Sequence, residues 1–152
     1  MERKNDKQTE PQPPKRSLLP GEMGDCVDRV LLPGEDLVLE VAAYRGQALV
    51  LTDIGLLLIV GGVLVGLKPH EQHVTRIMID DIVDIKFIPE KLGCFSPFIG
   101  PPMVQVQVTP RDRNDHDPKW DTVMVGFKML GEAVQLVNMI KFEQGKRQGQ
   151  QG

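Results

Sequence analysis

The chain is poor in the residues that carry chemistry on their own. Among 152 residues only two are cysteine and three histidine. Cys26 and Cys94 stand far apart with no Cys-x-x-Cys pair, which excludes a disulfide framework and a zinc knuckle. There is no Gly-x-Ser-x-Gly, no Gly-x-Gly-x-x-Gly and no Gly-Lys-Ser/Thr phosphate loop, so the common nucleophile and nucleotide motifs are missing. His70-Glu71-Gln72-His73 has its histidines three apart, where a metalloprotease helix needs four and a Glu base between them. The oxygen-rich run Asp112-Arg113-Asn114-Asp115-His116-Asp117 lacks the glycine and the bidentate glutamate of a calcium loop. Asp80, Asp81 and Asp84 read as solvated charges beside a turn. No catalytic residue, no metal site and no cofactor is expected, and a small metal-dependent hydrolase is the weakest reading.

Long apolar runs are also scarce. Ala48–Leu67 has the length of a membrane span, but Asp53 interrupts it and four glycines dilute it. The N-terminal stretch 1–17 contains no Val, Ile, Leu or Phe; it has nothing to bury against its ordering entropy and reads as a disordered arm. It also lacks the apolar core of a secretory signal, so a cytoplasmic protein is expected, with the inner face of a membrane as the alternative location. The net charge is −3, and because residues 1–17 and 141–152 each carry +2, the body between them carries −7. Such a body repels phosphate, which argues against nucleic acid and against avid docking on anionic lipid.

What is present is alternation. Leu37, Leu39, Val41 and Ala43 share one face of a strand, and Arg45-Gly46 turns the chain into a second strand over 47–52. Thr52-Asp53-Ile54-Gly55 is the next turn, with Asp53 bonding the backbone and Gly55 free to take positive φ. Leu56–Val60 follows, and Gly61-Gly62 signals a hairpin into Val63–Leu67. Ile77 and Ile79, and after Asp80-Asp81 the set Val83, Ile85 and Phe87, mark two further strands. Val104, Val106 and Val108 alternate with glutamines, and Val123, Val125 and Phe127 repeat the pattern. From Met129 the apolar period becomes three and four, through Ala133, Leu136, Val137 and Ile140 with Leu130 and Val134 nearby, and Gly145 is the expected stop of this helix.

This is an α+β, mainly β pattern: six to seven short antiparallel strands in a strongly bent sheet or partly open barrel, capped by one C-terminal helix. The expected division is an arm at 1–17, a lead-in at 18–36, one domain at 37–144 and a tail at 145–152. Leu31-Leu32-Pro33-Gly34-Glu35 before the first strand, Leu49-Val50-Leu51-Thr52-Asp53, and Ile77-x-Ile79-Asp80-Asp81-Ile82-x-Asp84-Ile85 resemble the bacterial pleckstrin-homology-like family over about residues 31–142. The resemblance implies a bent seven-stranded sheet plugged at one end by the helix, and a binding or scaffolding role without catalysis. Lipid-binding members of the wider superfamily cluster Lys and Arg in the first hairpin loop, where this chain offers only Arg45. A second departure is Leu18-Leu19-Pro20-Gly21-Glu22, a duplicate of the motif thirteen residues upstream, which reads either as an extra turn or short helix packed on the sheet or as chance.

Two segments are candidate partner surfaces. The loop 92–102 is apolar where loops are polar, with Phe95, Phe98 and Ile99 either exposed for docking or folded back to plug the barrel. Leu56, Leu57, Leu58, Ile59 and Val60 are apolar on both faces of one strand. A single helix cannot cover the outside of the sheet as well as its end, so a second copy of the chain is the simplest cover. The leading expectation is a non-catalytic binding or assembly module that self-associates through protein contacts; the alternative is a peripheral membrane adaptor using the 95–99 loop and the basic tails.

Overall fold

A computed structural model describes residues 16–43, 46–61, 72–89, 103–111 and 121–149. Helix α1 (Gly21–Val30) comes first, followed by β1 (Leu37–Ala42), β2 (Ala48–Thr52), β3 (Gly55–Gly61) and β4 (Gln72–Met78). A 3₁₀ turn at Ile79–Asp81 leads to β5 (Ile82–Pro89), β6 (Met103–Pro110) and β7 (Thr122–Gly126), and a second at Phe127–Met129 leads into helix α2 (Leu130–Gly149). The strands form two antiparallel sheets, β1-β2-β3-β4 and β5-β6-β7. Among the described residues they pack face to face and do not close into a barrel, and α2 lies against the interior they share.

The main core follows from alternation. Val41 of β1, Leu49 and Leu51 of β2, Leu56, Leu58 and Val60 of β3 meet Val106, Val108, Val123 and Val125 of the second sheet. Ala133, Leu136, Val137 and Ile140 of α2 complete it. Gln47, buried at the β1–β2 turn, accepts the Met124 N–H through Oε1 at 2.8 Å and so ties the two sheets together. Strict period two fails at two β-bulges. In β1 the register shifts between Leu37 and Leu39, so Leu37 leaves the face it was expected to share with Leu39, Val41 and Ala43. In β5 it shifts between Ile82 and Asp84, which buries Ile82 and leaves Val83 exposed, although alternation grouped Val83 with Ile85 and Phe87. An inserted residue re-aims every side chain on its near side.

A second apolar layer lies on the outer face of the first sheet. Ala48 and Val50 of β2 and Leu57 and Ile59 of β3 are fully buried there, and what covers them is α1, through Val27 and its flanking Leu19 and Leu31. The duplicated motif is therefore a bracket. Its first copy, Leu18–Glu22, enters α1 with Gly21 at φ +57°, and its second, Leu31–Glu35, leaves α1 with Gly34 at φ +80°. Both glycines occupy the left-handed region that other residues avoid. One leucine of each copy, Leu19 and Leu31, is buried in the same cluster.

Polar bonds lock this layer down. Glu35, buried, accepts from Arg76 on β4, from the Thr52 hydroxyl and from the Leu32 N–H, while Arg76 also donates to the Val30 carbonyl at 2.9 Å. Asp28 on α1 accepts the Arg16 and Ser17 N–H groups, each at 2.9 Å, and the Ser17 hydroxyl donates to Glu40. Arg16 and Ser17, which by composition belong with a disordered arm, are thus fastened to the domain; residues 1–15 lie outside the described residues. Gly24, in the first turn of α1, packs against the backbone that enters the helix, and a Cβ there would sit 2.3 Å from the Leu19 carbonyl oxygen.

At the far end α2 runs four residues past Gly145, the expected stop. Gln144 donates to the Ile79 and Ile82 carbonyls at 2.9 and 2.8 Å, and Arg147 reaches Asp80 and the Asp53 carbonyl, both at 3.2 Å. These tertiary bonds hold the last turns where local propensity favours an end. The turn at 52–55 also differs in detail: Thr52 Oγ1 accepts the Ile54 and Gly55 N–H groups, and Asp53 accepts the Asp36 N–H instead. Gly55 does not take positive φ; its missing side chain lets the backbone of Ile77 approach to 2.8 Å of a Cβ position.

Candidate functional site

Of the residues expected to bind a partner, Leu56, Leu57 and Leu58 are described, and they do not share one surface. Leu56 and Leu58 point into the main core and Leu57 lies under α1, all three with no exposure. They are not a surface in this structure. The inference that a second copy must cover the outer face of Leu56–Val60 loses its premise, because α1 of the same chain supplies the cover. Phe95, Phe98 and Ile99 lie outside the described residues, as do His70, the 112–117 run and the strand and hairpin expected at 62–67. The apolar run from Ala48 forms two strands, β2 and β3, as far as Gly61, and among the described residues no helix is long and apolar enough to cross a membrane.

Chemistry-bearing side chains are spread out. Among the described residues no three His, Cys, Asp or Glu side chains are grouped to hold a metal ion. Asp80 pairs with Arg147 and Asp84 lies 3.9 Å from Lys86, both at the surface. Burial pushes the Cys26 thiol up, with Arg29 opposing it in part. At Glu35 burial also pushes upward, but the bonds from Arg76, Leu32 and Thr52 outweigh it and hold the carboxyl below its ordinary value. A buried carboxylate met by a guanidinium, a hydroxyl and an N–H is a structural pin, fully satisfied and closed to substrate.

One open feature among the described residues is a groove of about 730 Å³ between α2 and the β1–β2 edge of the first sheet. Leu51 and Thr52 form its floor, Val38 one wall, and Val134, Asn138 and Phe142 of α2 the other. Local structure explains why these side chains are available. The bulge in β1 turns Val38 to the same side as Leu39, but at the edge of the sheet, where it remains 44% exposed. Phe142 follows the buried Ile140 by two residues, about 200° around the helix axis, and so stands on the opposite face, 65% exposed. Val134 is exposed at the same rim, and Gly131 leaves a notch with nothing within 4 Å of a Cβ position. Asp53 and Glu143 line the groove with negative charge.

Sequence reasoning placed Val134 beside the helix's core-facing set and passed over Phe142 and Val38. The signal for Phe142 was available, since an apolar residue about 200° from the buried stripe of an amphipathic helix has no core to enter. Val38 had none, because a bulge is not written in alternation.

No family model matches the chain, and no curated protein matches it. Among solved structures it is similar to the crystal structure of a pleckstrin homology domain from Shewanella amazonensis SB2B, with 15% identity and a TM-score of 0.52 over 82% of this chain and 96% of that one. The two antiparallel sheets and the C-terminal helix of this chain have the pleckstrin-homology-like fold.

Proposed function

We propose that this chain, a pleckstrin-homology-like fold with an apolar groove along its C-terminal helix, is a non-catalytic protein-binding module, and that the groove is where its partner sits. The observation that carries this reading is the exposure of Phe142, Val38 and Val134 around one concavity. Single exposed apolar residues are ordinary, but an aromatic and two aliphatic side chains framing a groove form an anchor site of the kind protein partners use. The charge of the body favours a protein over phosphate-bearing ligands: it carries −7, and the groove itself holds Asp53 and Glu143.

The test compares the full chain with Gly131→Trp, which fills the notch from outside the core, and with Val83→Glu, an exposed apolar site away from the groove. A specific protein retained by the full chain and by Val83→Glu, but lost from Gly131→Trp, supports the reading. Equal retention by all three overturns it, as does flotation with anionic vesicles that Gly131→Trp leaves unchanged.

A further inference from the structure

We infer that the partner in the groove is a second copy of this chain, with α2 packed antiparallel on α2 about a two-fold axis beside Asn138. The inference rests on the groove being a protein-docking surface, and it names the occupant.

The exposed side of α2 is patterned like a packing seam. Gly131, Val134, Asn138, Phe142 and Gly145 recur at three and four residues and are all exposed, forming a stripe about 20 Å long. The stripe reads the same in both directions from Asn138: Val134 and Phe142 stand four residues away on either side, Gly131 and Gly145 seven. A two-fold axis at Asn138 therefore sets Val134 of each copy against Phe142 of the other and brings the glycines level at both ends. Nothing lies within 4 Å of a Cβ position at Gly131 or Gly145, so a second backbone has room to approach. Each Phe142, at the rim of its own groove, then enters the groove of its mate.

Charge selects the antiparallel arrangement. The first turn of α2 carries Glu132 and its last turn Lys146 and Arg147. Antiparallel packing lays Lys146 of one copy beside Glu132 of the other and opposes the two helix dipoles, whereas parallel packing would set like charge on like. Lys146 already stands over the Phe142 ring, 4.8 Å from its centre, which places that cation at the edge of the seam. A self-complementary patch of this kind is what a closed isologous dimer requires.

The experiment is sedimentation equilibrium of the full chain across the micromolar range. A dimer is expected. Phe142→Glu should weaken it by at least about thirtyfold, the scale of a central aromatic anchor, with the far-ultraviolet dichroism unchanged. Glu132→Lys or Lys146→Glu alone should each weaken the dimer, and the two together should restore it. Asn138→Cys should cross-link to itself under mild oxidation above the level of the unmodified chain, and Lys128→Cys should not. A monomer throughout overturns the inference, as does a dimer that Phe142→Glu leaves intact or that Asn138→Cys does not cross-link. If the full chain is a monomer but Gly131→Trp still abolishes retention of another protein, groove docking stands and self-pairing alone falls; if retention is also unaffected, both fall.

Discussion

Removing α1 is the perturbation that tests the architecture most directly, because it strips one complete apolar layer and leaves every strand in place. In a chain beginning at residue 37, Val50, Leu57 and Ile59, all fully buried by the present packing, lose their cover, and the cluster loses Leu19, Val27 and Leu31. Full burial of a side chain of this size is worth about 1.5–3 kcal/mol. The three sheet residues alone then account for roughly 5–9 kcal/mol as an upper bound, since neighbours on the sheet keep part of each covered. Arg76 and Thr52 are left without Glu35 as well. Against a total stability on the order of 5–15 kcal/mol for an ordinary domain, a chain of residues 37–152 should show no cooperative unfolding transition as a monomer. It should instead bind an apolar dye or aggregate. A chain of residues 16–152 keeps the layer and should melt within a few degrees of the full chain. Leu57→Glu and Leu58→Glu should both unfold the domain, one by charging the α1 layer and the other by charging the main core. Circular dichroism melts with light scattering read all of these. A monomeric 37–152 chain with an unchanged melting temperature, or a folded Leu57→Glu, would refute the claim that α1 is part of the fold.

Two further outcomes follow from the same layer. Glu35 has its carboxyl held below its ordinary value in the folded state, so the ionised form is preferred there. Its contribution is complete above the unfolded value of about 4.3 and is lost as pH falls through the lower folded value. Melting temperature should therefore drop on acidification below about pH 4.3 more steeply for the full chain than for Glu35→Gln, and parallel pH profiles would show that Glu35 is not the group responsible. Gly24→Ala should cost on the order of 3 kcal/mol by urea denaturation, because a Cβ would meet the Leu19 carbonyl oxygen at 2.3 Å and backbone must move. An unchanged midpoint would show that the Leu19 backbone yields to a Cβ at Gly24 without cost.

By itself the sequence determined the fold class, the alternating strands of the second sheet and the C-terminal helix. Alternating valines in Val104–Val108 and Val123–Val125 can bury only one face, and the switch to a three-and-four period after Met129 can only be a helix lying on that face. These are local periodicities, legible because side-chain direction is set by the backbone conformation of the same few residues. The resemblance carried by Leu31–Glu35 and Ile77–Ile85 pointed to the same architecture. What covers the outer face of Leu56–Val60 was not legible. The sequence shows that Leu57 and Ile59 are apolar, but whether the cover comes from another molecule or from a helix some thirty residues upstream depends on where the chain returns in space. A ten-residue helix with one cysteine, three acids and two glycines gives little local sign that it belongs in a core. The position of Val38 was hidden for a related reason: a bulge is fixed by how two strands pair, not by either strand alone. The groove arises from both effects, since it needs a side chain re-aimed by a bulge in β1 to face a phenylalanine on the far side of α2. Each residue was visible in the sequence, but their proximity was decided by tertiary packing, which joins positions about a hundred residues apart through contacts that no local pattern records.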